Sequence, residues 1–181
     1  MTHPPAEHQV LLAATVLVAG VYDLRYRRIP NWLTLSALLF GVALNASRFG
    51  WSGLQSAAAG LGLAVVIYFP MYLVRGMGAG DVKLMAALGS IVGPAHWFTI
   101  FLISSILGAL CAVALLAWKG RLRRTLQNVG FMLKELFYLR PPYLRREELD
   151  VRHPMAVKLP HGLMVAVGTA AFLAAIRVPG S

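Results

Sequence analysis

The sequence predicts an all-α polytopic membrane protein, a bundle of about six transmembrane helices. Three observations carry that expectation. Hydrophobic residues make up 58% of the 181-residue chain and charged residues only 13%, against about 25% charged in soluble domains. The charges are clustered, which leaves apolar runs of the length that crosses a bilayer, roughly 17–25 residues. Lys and Arg fall almost entirely in three of the connecting segments. At this length one domain is expected, over residues 1–181.

Six candidate spans follow one another along the chain. The first runs from about Pro5 to Leu24, with an apolar centre at Val10–Val21. The second covers Trp32–Ala46 and the third Leu54–Val74. The fourth, Val82–Val92, is short and stops at Gly93-Pro94, so a shallow or tilted element also fits it. The fifth covers His96–Trp118 and the sixth His161–Ile176.

If all six cross, the 23–31, 75–83 and 119–160 segments share one side. Of the 17 Lys and Arg residues, all but Arg48 and Arg177 lie in those three segments. Basic residues collect in the cytoplasm, so both termini are expected outside and the three basic segments inside. That topology accounts for the net charge of +10 without a nucleic-acid partner; the bilayer is the partner it implies. The N-terminus has no basic region before its apolar run, unlike a cleaved secretory signal, and reads as a retained anchor.

The basic 119–160 segment places Leu122, Leu126, Val129, Leu133, Leu136 and Phe137 at helical spacing. That pattern predicts an amphipathic helix in the cytoplasmic interface, stopped by Pro141-Pro142. Cys111 is the lone cysteine, so no intrachain disulfide or Cys-x-x-Cys site can form; it reads as a packing residue within span five. Ser104 and Gly108 form a small-xxx-small pair suited to close helix packing. His96 and His161 stand at span ends without ligand-spaced partners and read as interfacial polar residues. No metal site and no cofactor are expected, and the oligomeric state is left open.

Two acids stand apart. The chain has seven Asp and Glu residues, and only Asp23 and Asp81 border long apolar runs. A carboxylate inside hydrocarbon costs roughly 2.5–3.5 kcal/mol on insertion scales, which makes it a functional candidate. Pro30 disfavours helix at Ile29, so Asp23 is expected in the last turns of the first helix. Asp81 follows the alternating Gly76, Gly78 and Gly80, where the backbone can bend or be approached closely. Read alone, Asp23 could be a helix-end charge in water and Asp81 an N-cap. The topology puts both at one depth on the cytoplasmic side. Two adjacent carboxylates share a proton, so one can act as acid and the other as base. A proton-coupled transporter would also hold intramembrane acids, but no acid marks the midplane and no inverted repeat is visible.

The two flanks, Asp23 followed by Ile29-Pro30-Asn31, and Gly78-Ala79-Gly80-Asp81-Val82-Lys83 as a GxGDxK motif, resemble the type IV prepilin peptidase family of membrane aspartic proteases. Leu159-Pro160-His161-Gly162 resembles a third, weaker feature of that family. The resemblance implies that Asp23 and Asp81 are the catalytic pair of a GxGD-type site. It makes Ile29, Pro30, Asn31, Gly78, Gly80 and Lys83 motif residues around them, with backbone roles for the glycines and the role of Lys83 open. It implies cleavage of the basic leader of prepilins or pseudopilins at the cytoplasmic face of the bacterial inner membrane. Larger family members carry paired Cys-x-x-Cys motifs and methylate the new N-terminus. Lacking such cysteines, the chain is similar to the short form of Flp-type systems, for which neither methyltransferase activity nor structural zinc is implied. A catalytically inactive assembly protein of the same fold is the remaining alternative.

Overall fold

The computed structural model describes residues 3–73, 75, 77–120, 123, 125, 127–131 and 161–177. Among the described residues the main helices are α1 (Ala6–Tyr26), α2 (Asn31–Leu73), α3 (Ala79–Trp118) and α4 (His161–Arg177). Among the described residues there is no strand. α1, α2 and α3 are each long and apolar enough to cross a membrane, and α4 is a shorter apolar helix.

α2 and α3 each turn back on themselves at a glycine. In α2 the break is Gly50, at φ 58° and ψ −134°. In α3 it is Gly93, at φ 72° and ψ 176°. Both conformations lie where a side chain would be strained, and Pro94 then opens the next helical segment, its favoured place. Met85 and Trp97 would stand roughly 18 Å apart along a straight helix. Instead the Trp97 indole N–H donates to the Met85 carbonyl at 2.9 Å. Likewise a Cβ on Gly53 would collide with the Asn45 carbonyl, about two turns earlier in sequence. The four helices thus divide, among the described residues, into the segments 6–26, 31–49, 51–73, 79–92, 94–118 and 161–177.

Their limits follow the local chemistry. α1 ends at Arg27, which adopts the left-handed conformation (φ 53°) and donates its backbone N–H to the Asp23 carbonyl. The Pro30 carbonyl accepts from the Thr34 amide at 3.4 Å as α2 begins. The 79–92 segment ends without the next turn's N–H groups for its last carbonyls. The buried Asn45 side chain fills that gap, donating to the carbonyls of Ser90 at 2.9 Å and Ile91 at 3.0 Å.

The α2 and α3 hairpins form the larger part of the bundle, and α4 lies against both α1 and α3. Gly60 and Gly89 meet so closely that a Cβ on either would strike the other's carbonyl oxygen. Ser104 and Gly108 do face a neighbour: a Cβ on Gly168 would meet the Ser104 hydroxyl, and one on Gly108 would lie 3.8 Å from Met164. The core is built on Trp97 and Phe101, stacked at 5.5 Å, with Tyr68 edge-on to both. The outer surface is apolar too, with Leu35, Leu39, Phe40, Val66 and Leu110 exposed. A bundle apolar inside and out is one suited to lipid.

Some expectations change in detail. Cys111 is helical but exposed on that outer face, so it is not a packing residue. In the 119–160 segment, residues 123, 125 and 127–131 are helical and Val129 is exposed. Leu122, Leu126, Leu133, Leu136, Phe137 and the Pro141-Pro142 stop lie outside the described residues. A cavity of about 290 Å³ opens between His8, Asn45, Phe49 and His96. It sits roughly 22 Å along α1 from Asp23 and is lined by no carboxylate.

Candidate active site

The last turn of α1, the 27–30 loop and the first turns of α3 and α4 meet at one end of the bundle. Asp23, on the buried side of α1, is 8% exposed. Its Oδ2 accepts the backbone N–H of Gly162 at 2.8 Å. That N–H belongs to the first turn of α4, where four amides lack helical partners and favour an anionic acceptor. The contact favours glycine: a Cβ at 162 would stand 3.1 Å from both Cβ and Oδ2 of Asp23, and the carboxylate would have to give way by a few tenths of an ångström.

Asp81 is half-buried in the first turn of α3. It is not the helix cap; Gly78 is, and the Asp81 amide donates to the Gly78 carbonyl at 3.2 Å. The Asp81 carboxylate folds back over Gly78 and lies within electrostatic range of both His161 and Asp23. The two acids, distant in sequence, therefore share one site.

The motif glycines act through close approach rather than unusual angles. Gly78 is extended (φ −78°, ψ 148°), and a Cβ there would lie 3.2 Å from Asp81 Oδ2. A Cβ on Gly80 would lie 3.3 Å from the Ile29 Cβ, so Ile29 packs directly onto the α3 turn that carries Asp81. Asn31 opens α2 behind Pro30, and its Oδ1 accepts from Lys83 Nζ at 2.9 Å. Gly76 lies outside the described residues. All eight motif residues singled out in the sequence are thus held at the one end of the bundle.

Two further side chains belong here. His161 reads from the sequence as an interfacial residue, but its ring lies 6.0 Å from that of Tyr68 and within range of Asp81. Its Nε2 is buried without a hydrogen-bond partner among the described residues. Tyr68 is 2% exposed, also feels Asp81, and links the site to the Trp97–Phe101 stack. The Leu159-Pro160-His161-Gly162 run was the available signal for His161; Tyr68 carried none. Among the described residues no three His, Cys, Asp or Glu side chains gather as a metal site.

The chain resembles known proteins of one family. Residues 10–113 match the model of the type IV leader peptidase family. The chain is 34% identical over 123 residues to a prepilin leader peptidase/N-methyltransferase of Escherichia coli K12, covering 64% of this chain and 53% of that protein. It is 34% identical over 122 residues to one of Legionella pneumophila, covering 64% and 42%. A Neisseria gonorrhoeae protein of the same description is 30% identical over 119 residues, covering 62% and 41%. The matched part is thus about half the length of these relatives or less. No solved structure matches. The family match spans more than half of the chain and includes both acids and their flanking motifs, so the chain belongs to the type IV leader peptidase family.

Proposed function

We propose that the protein is a prepilin peptidase, an aspartic endopeptidase in which Asp23 and Asp81 are the catalytic pair. The observation that carries this reading is the convergence of the two carboxylates at one end of an apolar bundle, in a chain of this family. One carboxylate, ionised, takes a proton from a water molecule as its oxygen attacks the scissile carbonyl. The other, protonated, delivers its proton to the departing amide nitrogen as the C–N bond breaks. Neither step needs a cofactor. The carboxylates start alike, and unlike surroundings support the separate roles that an acid–base pair requires: Asp23 is buried and accepts the Gly162 amide, whereas Asp81 is half-buried within range of His161.

The substrate in this reading is a prepilin or pseudopilin whose apolar helix lies against the bundle while its basic leader enters the site from the cytoplasm. The distribution of Lys and Arg supports six crossings of the bacterial inner membrane with both termini outside. A Flp-type prepilin is the substrate class of this reading. Residues 1–181 act as one peptidase domain.

Two results are expected. Co-expression with a prepilin yields the leader-cleaved form, identified by its mobility and new N-terminal residue; an uncleaved substrate, with the protein present in the membrane, would sink the proposal. In right-side-out cells, a cysteine placed at Ser181 reacts with an impermeant maleimide, whereas one placed at Ser47 reacts likewise and one at Thr125 does not. Labelling at Thr125 from outside would overturn the orientation.

A further inference from the structure

Lys83 and Asn31 come from different motifs, and they bond side chain to side chain. Lys83 is exposed on the first turns of α3. A lysine at a cytoplasmic helix end has an obvious use, reaching outward to lipid phosphate. Here Nζ is instead turned across to the Asn31 amide oxygen, 2.9 Å away. It does not serve Asp81, because residues two apart on a helix point to different faces.

The consequence lies in what each partner is attached to. Asp23 is followed by one further helical turn, the left-handed Arg27 and the short loop to Pro30. Asn31 fixes the far end of that loop, and Ile29 within it packs on Gly80. Gly80 and Lys83 flank Asp81. The Ile29–Gly80 contact sets how closely the loop approaches the α3 turn. A contact between an aliphatic side chain and a glycine resists compression but allows sliding. The directional hydrogen bond from Lys83 to Asn31 opposes that sliding. Together they fix the first turn of α3 on the segment that leaves Asp23.

We propose that Lys83 is a positioning residue of the catalytic pair, acting through Asn31 to hold Asp81 in register with Asp23. The inference rests on the peptidase reading above. Displacing a reacting group by about 1 Å can cost on the order of a hundredfold in rate. A clasp that prevents such displacement therefore acts on turnover and leaves substrate binding nearly unchanged.

The test is a cycle of variants of the full-length protein in detergent, assayed on a purified prepilin. Lys83→Met keeps the stem and removes the donor; Asn31→Ala removes the acceptor. Each is expected to lower kcat about tenfold or more with KM within about threefold, and the double variant should be no worse than either single one. Lys83→Arg, which still donates, and Asn31→Asp, which still accepts, should recover most of the loss. A Lys83→Met variant with kcat within twofold of the parent overturns the proposal. So does a loss confined to KM, which would place Lys83 on the substrate, and so does a double variant whose loss is the product of the two. A parent protein that cleaves no prepilin defeats the peptidase reading instead. The clasp is then decided by thermal melting of the same four proteins: non-additive shifts sustain it and additive shifts overturn it.

Discussion

Replacing Asp23 or Asp81 by Asn is expected to lower prepilin cleavage by roughly 10²–10⁴-fold, the usual contribution of general acid–base catalysis. Asn keeps the size and hydrogen-bonding reach of Asp but can neither take a proton from water nor deliver one. The two variants should be alike in activity and unlike in stability. Asp23 is buried, and its Oδ2 accepts the Gly162 amide at 2.8 Å. An Asn there must present its oxygen to that amide, and its NH₂ then enters a site built for a carboxylate. Asp81 is half-buried at the helix start and more easily relieved. Asp81→Asn should therefore melt close to the parent, and Asp23→Asn lower. In the proposed mechanism the two residues act as one unit, so the double variant should be scarcely worse than either single one. The measurement is single-turnover cleavage of a purified prepilin, with membrane accumulation monitored alongside. Cleavage within tenfold of the parent by either Asn variant would remove that residue from the catalytic pair. Losses that multiply in the double variant would mean that the two act separately.

Much of this site was legible from residue types alone. Asp23 and Asp81 were conspicuous because an acid beside hydrocarbon needs a reason. Ile29, Pro30 and Asn31 read as a helix stop and restart, which they are. Gly93-Pro94 marked a break that the structure places at Gly93. What the sequence could not supply was tertiary. His161 has the same local pattern as His96, a ring at the end of an apolar run, and only the Leu159-Pro160-His161-Gly162 run around it sets it apart. One lies beside Asp81 and the other against Phe172 at 5.7 Å, since α4 packs with its first turn on Asp23. Tyr68 was hidden for the converse reason, as one aromatic within a span in which every neighbour is apolar. Gly78 and Gly80 were expected to serve either by bending the chain or by admitting a neighbour. Only contact distances decide between these, and they favour the neighbour. Asn45 is a further case: an amide within an apolar run gives no hint that it will cap a helix end from another segment.

A large effect on stability is expected at Gly60 and Gly89, where the α2 and α3 hairpins cross. A Cβ at either position would strike the backbone carbonyl of the other. A clashing side chain could rotate away, but a carbonyl within a helix is held by its own hydrogen bond. The helices themselves must therefore separate. Overpacking a core costs about 1–3 kcal/mol, and a rigid backbone on both sides puts Gly60→Ala and Gly89→Ala at the upper end or above it. In a membrane the cost is not recovered elsewhere, because helix association there depends on close van der Waals contact rather than on escape from water. Gly62 lies two residues on, with nothing within 4 Å of a Cβ placed there, and Gly62→Ala should leave the melting temperature in detergent nearly unchanged. The two damaging substitutions meet at one contact, so their effects should not add: once the helices stand apart, the second methyl has little left to displace. A Gly60→Ala protein that melts with Gly62→Ala would show that the crossing is looser than described. The same contact reaches function through geometry. Gly89 lies about two turns beyond Asp81 on one rigid segment, roughly 12 Å along its axis. A segment pushed away at Gly89 tilts its first turn, and with it the Asp81 carboxylate proposed to pair with Asp23. Catalysis should consequently fall further in Gly89→Ala than the loss of folded protein alone explains.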